Sequence, residues 1–143
     1  MNPPAPSLEW HGRVIAPGCA EAETLFTTQR ISFFGGVDPE TGVIVERGHE
    51  LYGQSLAGKI LIFPTGKGST VGSYTLYRLK YSGKAPAAIL NLECEPITAV
   101  GCIIAAIPCL DHLPIADLAS HPRLRVDGAR VETQYFASPH HIG

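Results

Sequence analysis

The sequence predicts an α/β fold in which a mainly parallel sheet carries helices on one face and a second β layer on the other. Two continuous apolar runs, 59–63 (KILIF) and 85–92 (APAAILNL), are typical of strands that are covered on both faces. A helical pattern follows each run, and right-handed crossovers would place both helices on the same face of the sheet. The remaining half of the chain is rich in strand and turn signals, which indicates the additional β layer.

The N-terminal part predicts short strands separated by turns. In chain order we expect a strand at 9–15, a short strand at 23–26, a loop at 33–42 (FFGGVDPETG) and an apolar triplet at 43–45. Pro17-Gly18 ends the first strand, and the Gly-Gly, Asp-Pro and Thr-Gly pairs of the loop are turn formers. Asp38 in this loop either forms the turn or approaches a functional site.

Two helices are predicted around the second apolar run. The first contains apolar residues at helical spacing between Val71 and Tyr81, with Ser69 or Thr70 as its N-cap and Gly83 at its C-terminal end. The second begins at Glu95-Pro96, because proline is tolerated in the first turn, and extends to Ala106. Glu93 and Glu95 either cap this helix or line a cleft.

The C-terminal part predicts a third central strand at 108–113 (PCLDHL) and a hairpin at 124–132, with Asp127-Gly128 as its turn. The chain of 143 residues fits a single domain, which we place at 8–136. The flanking segments 1–7 and 137–143 are expected to be flexible tails.

Composition excludes several classes of function. Charged residues make up 17% of the chain and the net charge is −2 without charge blocks, so we expect neither nucleic-acid nor membrane-surface binding. No apolar run approaches the roughly 20 residues of a membrane span. The four cysteines form no C-x-x-C pair and predict reduced thiols, without a metal site, in a cytoplasmic protein: Cys19, Cys94, Cys102 and Cys109.

The stretch 63–74 (FPTGKGSTVGSY) combines glycines, hydroxyls and one cation, but it does not match the common phosphate-binding motifs. In a P-loop, Ser or Thr follows the Gly-Lys pair, whereas Gly68 follows Lys67 here. The dinucleotide fingerprint fails because Val71 stands where the third glycine belongs. The stretch nevertheless predicts a strand, then a glycine turn, then the start of a helix. The positive N-terminal end of such a helix favours a carboxylate, a phosphate or an oxyanion nearby. Ser69 either caps the helix or, helped by this setting, acts as a base.

Five blocks of the chain resemble the small subunit of aconitase X, a family of hydro-lyases. They lie between about Gly12 and Leu113, at 17–23 (PGCAEAE), 33–42, 52–74, 85–97 and 106–113. The resemblance implies the aconitase swivelling domain, a three-layer β/β/α fold that docks over a larger catalytic subunit. It also implies that this chain is active only together with that large subunit.

The resemblance implies a division of the active site between two chains. The large subunit would carry an iron–sulfur cluster or iron held by cysteines, and this chain would bind no cofactor. Ser69 would be the base that removes the proton alpha to the substrate carboxylate. The residues around it would bind substrate: Gly66, Lys67, Gly68, Thr70 and Ser73.

Two branches of the family suggest different substrates. We expect cis-3-hydroxy-L-proline, because the low charge and the cysteines favour a bacterial-type protein, and because Lys67 is the single cation near the turn that could hold a phosphate. The alternative substrate is 5-phosphomevalonate. A further alternative, of another class, is a non-catalytic swivelling module with a binding or regulatory role.

Overall fold

The computed structural model describes residues 7–134. Apart from Ser7, the two predicted tails therefore lie outside the described residues. The strands are β1 (Glu9–His11), β2 (Arg13–Ala16), β3 (Cys19–Phe26), β4 (Ile31–Ser32), β5 (Ile60–Phe63), β6 (Gly66–Lys67), β7 (Ala88–Asn91), β8 (Cys109–Asp111), β9 (Arg123–Asp127) and β10 (Arg130–Thr133). The helices are α1 (Gly72–Tyr81), α2 (Pro96–Ala105) and α3 (Ile115–Ala119).

The main sheet is parallel in its centre and antiparallel at its edges. Its strand order is β1-β10-β9-β3-β5-β7-β8-β2, with parallel pairing from β3 through β8. Strand β3 joins two parts of this sheet, because its residues 19–23 pair with β9 and its residues 24–26 pair with β5. Strands β4 and β6 form a separate parallel pair.

Two hydrophobic cores lie on opposite faces of the central strands. Alternate side chains of β5 supply both: Leu61 and Phe63 pack with the helical layer, and Ile60 and Ile62 pack with the β9–β10 layer and α3. All four side chains are fully buried. This explains the continuous apolar run at 59–63, and it confirms the predicted α/β fold with helices on one face and a second β layer on the other.

Helices α1 and α2 pack closely because small residues lie between them. Gly101 of α2 lies against Leu76 of α1, and a methyl group at position 101 would come within 3.2 Å of the Ser73 Cα atom. The Ser73 hydroxyl also donates a hydrogen bond of 2.8 Å to the carbonyl of Ile97. The spacing of the two helices is therefore fixed by contacts that any larger side chain would disturb.

The N-terminal strands differ from the prediction. The strand expected at 9–15 is divided at Gly12, whose amide donates to the Ala129 carbonyl, because the chain changes partner there from β10 to β8. The strand expected at 23–26 begins earlier, at Cys19, since its first half extends the second β layer.

Two smaller differences concern the C-terminal part. The hairpin turn consists of Gly128-Ala129 rather than Asp127-Gly128, because Asp127 pairs directly with Arg130. Helix α3 was not predicted, since it has five residues and buries Leu118 as its one fully covered side chain. So short an element carries almost no periodic signal.

We predict that Gly101→Ala destabilises the domain by about 2 kcal/mol, because overpacking against Leu76 outweighs the helix-propensity gain of about 1 kcal/mol. Urea unfolding followed by circular dichroism measures this difference. The control is Val100→Ala, on the exposed side of the same helix, which should change the free energy of unfolding by less than about 0.5 kcal/mol. Equal stability of Gly101→Ala and wild type would contradict the close packing.

Candidate active site

The glycine-rich turn is held by two close backbone approaches. Strand β6 pairs in parallel with β4, so Gly66 lies opposite Ile31 and Lys67 lies opposite Ser32. A side chain at Gly66 would collide with the Glu95 carboxylate, and one at Gly68, where φ is +99°, would collide with the Ser32 hydroxyl. Both positions therefore require glycine, and the turn is fixed between β4 and the start of α2.

Ser69 is exposed at the end of this turn. Its Oγ accepts a hydrogen bond of 3.2 Å from the Val71 amide, and its carbonyl accepts one of 2.9 Å from Gly72. The predicted N-cap role is wrong: α1 begins at Gly72 after Val71, without a side-chain cap. Residues 69–73 form a tight turn with hydrogen bonds between residues i and i+3 before α1 begins. The amide that donates to the Ser69 hydroxyl therefore precedes the helix.

The other predicted site residues are distributed differently around the turn. Thr70 is exposed next to Ser69. Ser73 is buried, and its hydroxyl donates a hydrogen bond to the Ile97 carbonyl. Lys67 points its ammonium at the Glu46 carboxylate, at 3.0 Å. Thr70 and Ser73 also line an open cleft of about 430 Å³ with apolar walls from Tyr74, Pro96, Ile97, Val100 and Ile104.

The open alternatives for two acidic residues are resolved by their hydrogen bonds. Glu95 caps α2, because its carboxylate accepts from the Ile97 amide at 2.6 Å, from the Thr98 amide at 2.8 Å and from the Thr98 hydroxyl. Asp38 forms its own turn, since its Oδ1 accepts a 2.9 Å hydrogen bond from the Glu40 amide.

An ion pair between a buried aspartate and a half-exposed arginine supports the end of β8 and was not predicted. Asp111 is fully buried and accepts from the Arg13 Nε at 2.9 Å, from its Nη2 at 2.7 Å and from the Cys94 amide at 2.8 Å. Burial raises the pKa of Asp111, but the hydrogen bonds from Arg13 and Cys94 more than offset it, so the pKa lies below its ordinary value of 3.8. The sequence signal was a charged residue inside an apolar strand, PCLDHL.

The same corner contains a group of side chains with the composition of a metal site. Ligand atoms of Glu93, Asp111 and His112 lie within 4.8 Å of one another. The Arg13 guanidinium already supplies the positive charge there, since it contacts Asp111 at 2.7 Å and Glu93 at 3.6 Å. The arrangement is therefore an ion-pair network that holds the end of β8.

The cysteines are poorly suited to bind an iron–sulfur cluster. Cys94 and Cys109 lie 3.8 Å apart at their sulfurs, and this hydrogen bond together with burial raises the pKa of Cys94 far above its ordinary value. A hydrogen bond with Cys102 raises the pKa of Cys109 in the same way. Cys19 is exposed, and its thiol donates to the Asp127 carboxylate at 3.2 Å. Within residues 7–134 no three of these sulfurs lie close enough together to share a metal ion, so the thiols do not fit a cluster, which needs several cysteine ligands.

The layered fold and the serine-bearing turn between β6 and α1 define a swivelling domain of the aconitase type. The family model "Aconitase X swivel domain" matches residues 9–134, and the chain belongs to this family. The predicted family and its three-layer fold are thereby confirmed.

The relatives of this chain carry a specific name. It is 57% identical over 118 residues to the phosphomevalonate dehydratase small subunit of Methanothrix thermoacetophila, covering 81% of this chain and 86% of the relative. The small subunit from Methanosarcina acetivorans is 54% identical over 125 residues, or 85% and 87% of the two chains. The crystal structure of Thermococcus kodakaraensis aconitase X in its holo form superimposes with a TM-score of 0.85 at 45% identity, covering 90% of this chain and 99% of that chain.

These comparisons correct one expectation. The preference for cis-3-hydroxy-L-proline finds no support, since these relatives are named for phosphomevalonate, the alternative substrate. The designation small subunit agrees with the expected large partner. No helix among residues 7–134 has the length and apolar character needed to cross a bilayer.

We predict that Asp111→Asn lowers the free energy of unfolding by about 2 kcal/mol at pH 7, because it weakens the charge-assisted hydrogen bonds that the buried carboxylate accepts from Arg13 and from the Cys94 amide. Since the pKa of Asp111 is depressed in the folded state, its contribution is present above about pH 4 and is lost as the pH falls further. Thermal unfolding between pH 7 and pH 3 measures both effects.

The matched control is Glu93→Gln, which neutralises an exposed carboxylate of the same network and should cost less than about 1 kcal/mol. A stability difference between wild type and Asp111→Asn that stays constant down to pH 3 would show that folding does not lower the pKa of Asp111.

Proposed function

We propose that this chain is the small subunit of a dehydratase that removes water from 5-phosphomevalonate, with Ser69 as the base. The names of its relatives support the substrate. The observation that carries the role of Ser69 is its setting: an exposed hydroxyl on a rigid glycine turn, accepting a hydrogen bond from the Val71 amide just before α1. A small subunit of this type works together with a large subunit.

The setting of Ser69 favours its ionised form. The Val71 amide donates to Oγ, and α1 begins at Gly72, three residues after Ser69, so the amide and the nearby positive end of the helix both stabilise negative charge on the oxygen. The alkoxide takes the proton alpha to the substrate carboxylate. The electron pair of the broken C–H bond forms the new double bond, and the beta-hydroxyl leaves with its bonding pair as hydroxide. That hydroxide becomes water by taking up one proton, and Ser69 releases one proton to return to its starting state, so no net proton is gained or lost. The iron-containing centre of the large subunit would supply the Lewis acid that polarises this hydroxyl.

The neighbouring residues take different parts in this proposal. Gly66 and Gly68 permit the close approaches that fix the turn, and Thr70 offers a second exposed hydroxyl beside the base. Ser73 acts indirectly, because its hydroxyl bonds to Ile97 and ties α1 to α2. Lys67 supplies a positive charge beside the base.

The large subunit is the partner that would cover the apolar cleft beside Ser69. Tyr74, Val100 and Ile104 expose about half or more of their surface there, at 67%, 49% and 46%. Apolar surface of this kind next to a catalytic turn is typical of a protein interface. Docking at this face would also exclude water from the reacting atoms.

We predict that Ser69→Ala, assembled with its cognate large subunit, loses at least about 100-fold in kcat for phosphomevalonate dehydration, since a positioned base contributes roughly 10²–10⁴-fold. Product formation followed by mass spectrometry measures the rate. Size-exclusion chromatography should show an unchanged complex, because the exposed hydroxyl makes no packing contact in the fold.

The control is Ser120→Ala, an exposed serine that follows α3 on the opposite face of the sheet and should retain wild-type turnover. Full turnover by Ser69→Ala would overturn the assigned base. A wild-type complex that dehydrates cis-3-hydroxy-L-proline instead would overturn the substrate, and one that dehydrates neither would favour a non-catalytic swivelling module.

A further inference from the structure

A basic cleft lies beside the candidate base, and the proposed proton transfer to Ser69 does not use it. It has a volume of about 500 Å³, and Arg30, Arg47 and Lys67 supply its cations. Arg30 and Arg47 are exposed, and within residues 7–134 neither has a carboxylate within 4 Å. By contrast, Arg13 and Arg130 are each paired with an aspartate. The cleft therefore keeps positive charge that the fold itself does not neutralise.

The walls of this cleft are tied together by hydrogen bonds. His49 is buried, its Nδ1 accepts from the Leu51 amide at 3.1 Å, and its Nε2 therefore donates to the Arg30 carbonyl at 3.0 Å. The Gln29 side chain accepts from the Glu50 amide at 2.9 Å. The segments that carry Arg30 and Arg47 are thus held side by side, so little ordering is needed before an anion binds.

The single carboxylate that lines the cleft can be displaced. Glu46 contacts the Lys67 ammonium at 3.0 Å, but the two side chains are 30% and 42% exposed. An ion pair so accessible to water contributes little. A phosphate dianion, with three acceptor oxygens and higher charge, would compete effectively for Lys67 and engage the arginines at the same time.

The position of the cleft suits a phosphate on the proposed substrate. Lys67 borders the cleft, and Ser69 follows two residues later on the same turn. The Cα atoms of Lys67 and Ser69 are therefore at most about 7 Å apart, a separation comparable to the five-bond chain between the alpha carbon and the phosphorus of 5-phosphomevalonate. A phosphate in the cleft would therefore leave the alpha carbon within reach of Ser69.

We infer that Arg30, Arg47 and Lys67 form a phosphate subsite that holds the phosphoryl end of the substrate while Ser69 acts on its alpha carbon. This inference rests on the proposed function and assigns to this chain the residues that select a phosphorylated substrate. The arginines are specificity-determining residues remote from the bonds that break, so their main contribution is to binding.

The test uses the wild-type complex with its large subunit, Arg30→Ala, Arg47→Ala and the matched control Arg125→Ala, on β9. For phosphomevalonate we expect KM to rise at least about tenfold in each of the first two variants, with kcat changed less than KM, since one charge-assisted hydrogen bond is lost in each. Inorganic phosphate should inhibit wild type competitively and these two variants at least about tenfold less strongly. Arg125→Ala should match wild type.

A second variant is expected to change inhibition by inorganic phosphate in the opposite direction. Glu46→Gln removes the competing carboxylate, so inorganic phosphate should inhibit this variant more strongly than wild type. If wild type turns over phosphomevalonate while KM and phosphate inhibition are the same in Arg30→Ala and Arg47→Ala, the phosphate subsite is wrong and the proposed function stands. If the wild-type complex does not turn over phosphomevalonate, the proposed function fails and the subsite fails with it.

Discussion

The structure depends on the close approach of one glycine-rich turn to two other elements. Gly66 lies against the Glu95 carboxylate that caps α2, and Gly68 lies against Ser32 of β4. These contacts hold the segment that follows, so Ser69 stands at a defined place between the sheet and α1. Rigid placement matters because a proton can be taken from carbon only when base and substrate meet in a narrow range of geometry.

The same turn lies between two clefts, since Thr70 lines one of them and Lys67 lines the other. On one side are the apolar walls supplied by α1 and α2, where Tyr74 and Val100 are exposed. On the other side are Arg30 and Arg47, which have no acidic partner within the described residues. We infer a division of labour in which the apolar side meets the large subunit and the charged side meets the substrate. Lys67 and Thr70 lie in the turn where the two surfaces meet.

The sequence predicted best where local pattern and burial agree. The buried strands at 60–63 and 88–91 appear as continuous apolar runs because both of their faces are covered, and α2 is bounded by Glu95-Pro96 and by Ala106 as expected. The start of α1 was misplaced, since i to i+3 hydrogen bonds before Gly72 leave no trace in residue type.

Contacts between distant parts of the chain could not be predicted. Arg30 and Arg47 join Lys67 only through the folding of two irregular segments. Counting cations near the turn in the sequence therefore finds Lys67 alone and favours a substrate that the comparisons do not support. The partnership of Arg13 with Asp111 spans 98 residues and was missed for the same reason. Ser69 can be singled out from the sequence because its glycine-rich block is contiguous and specific, and its role as the base is a proposal.

The central claim is that the glycine turn, and not merely the presence of a serine, creates the base. The most direct test is kcat of the Gly68→Ala complex. Alanine is strained at φ +99° and its methyl group would collide with the Ser32 hydroxyl, so the turn must shift and carry Ser69 with it. We expect kcat to fall at least about tenfold, because small displacements of catalytic groups are costly. A kcat within twofold of wild type would contradict the account.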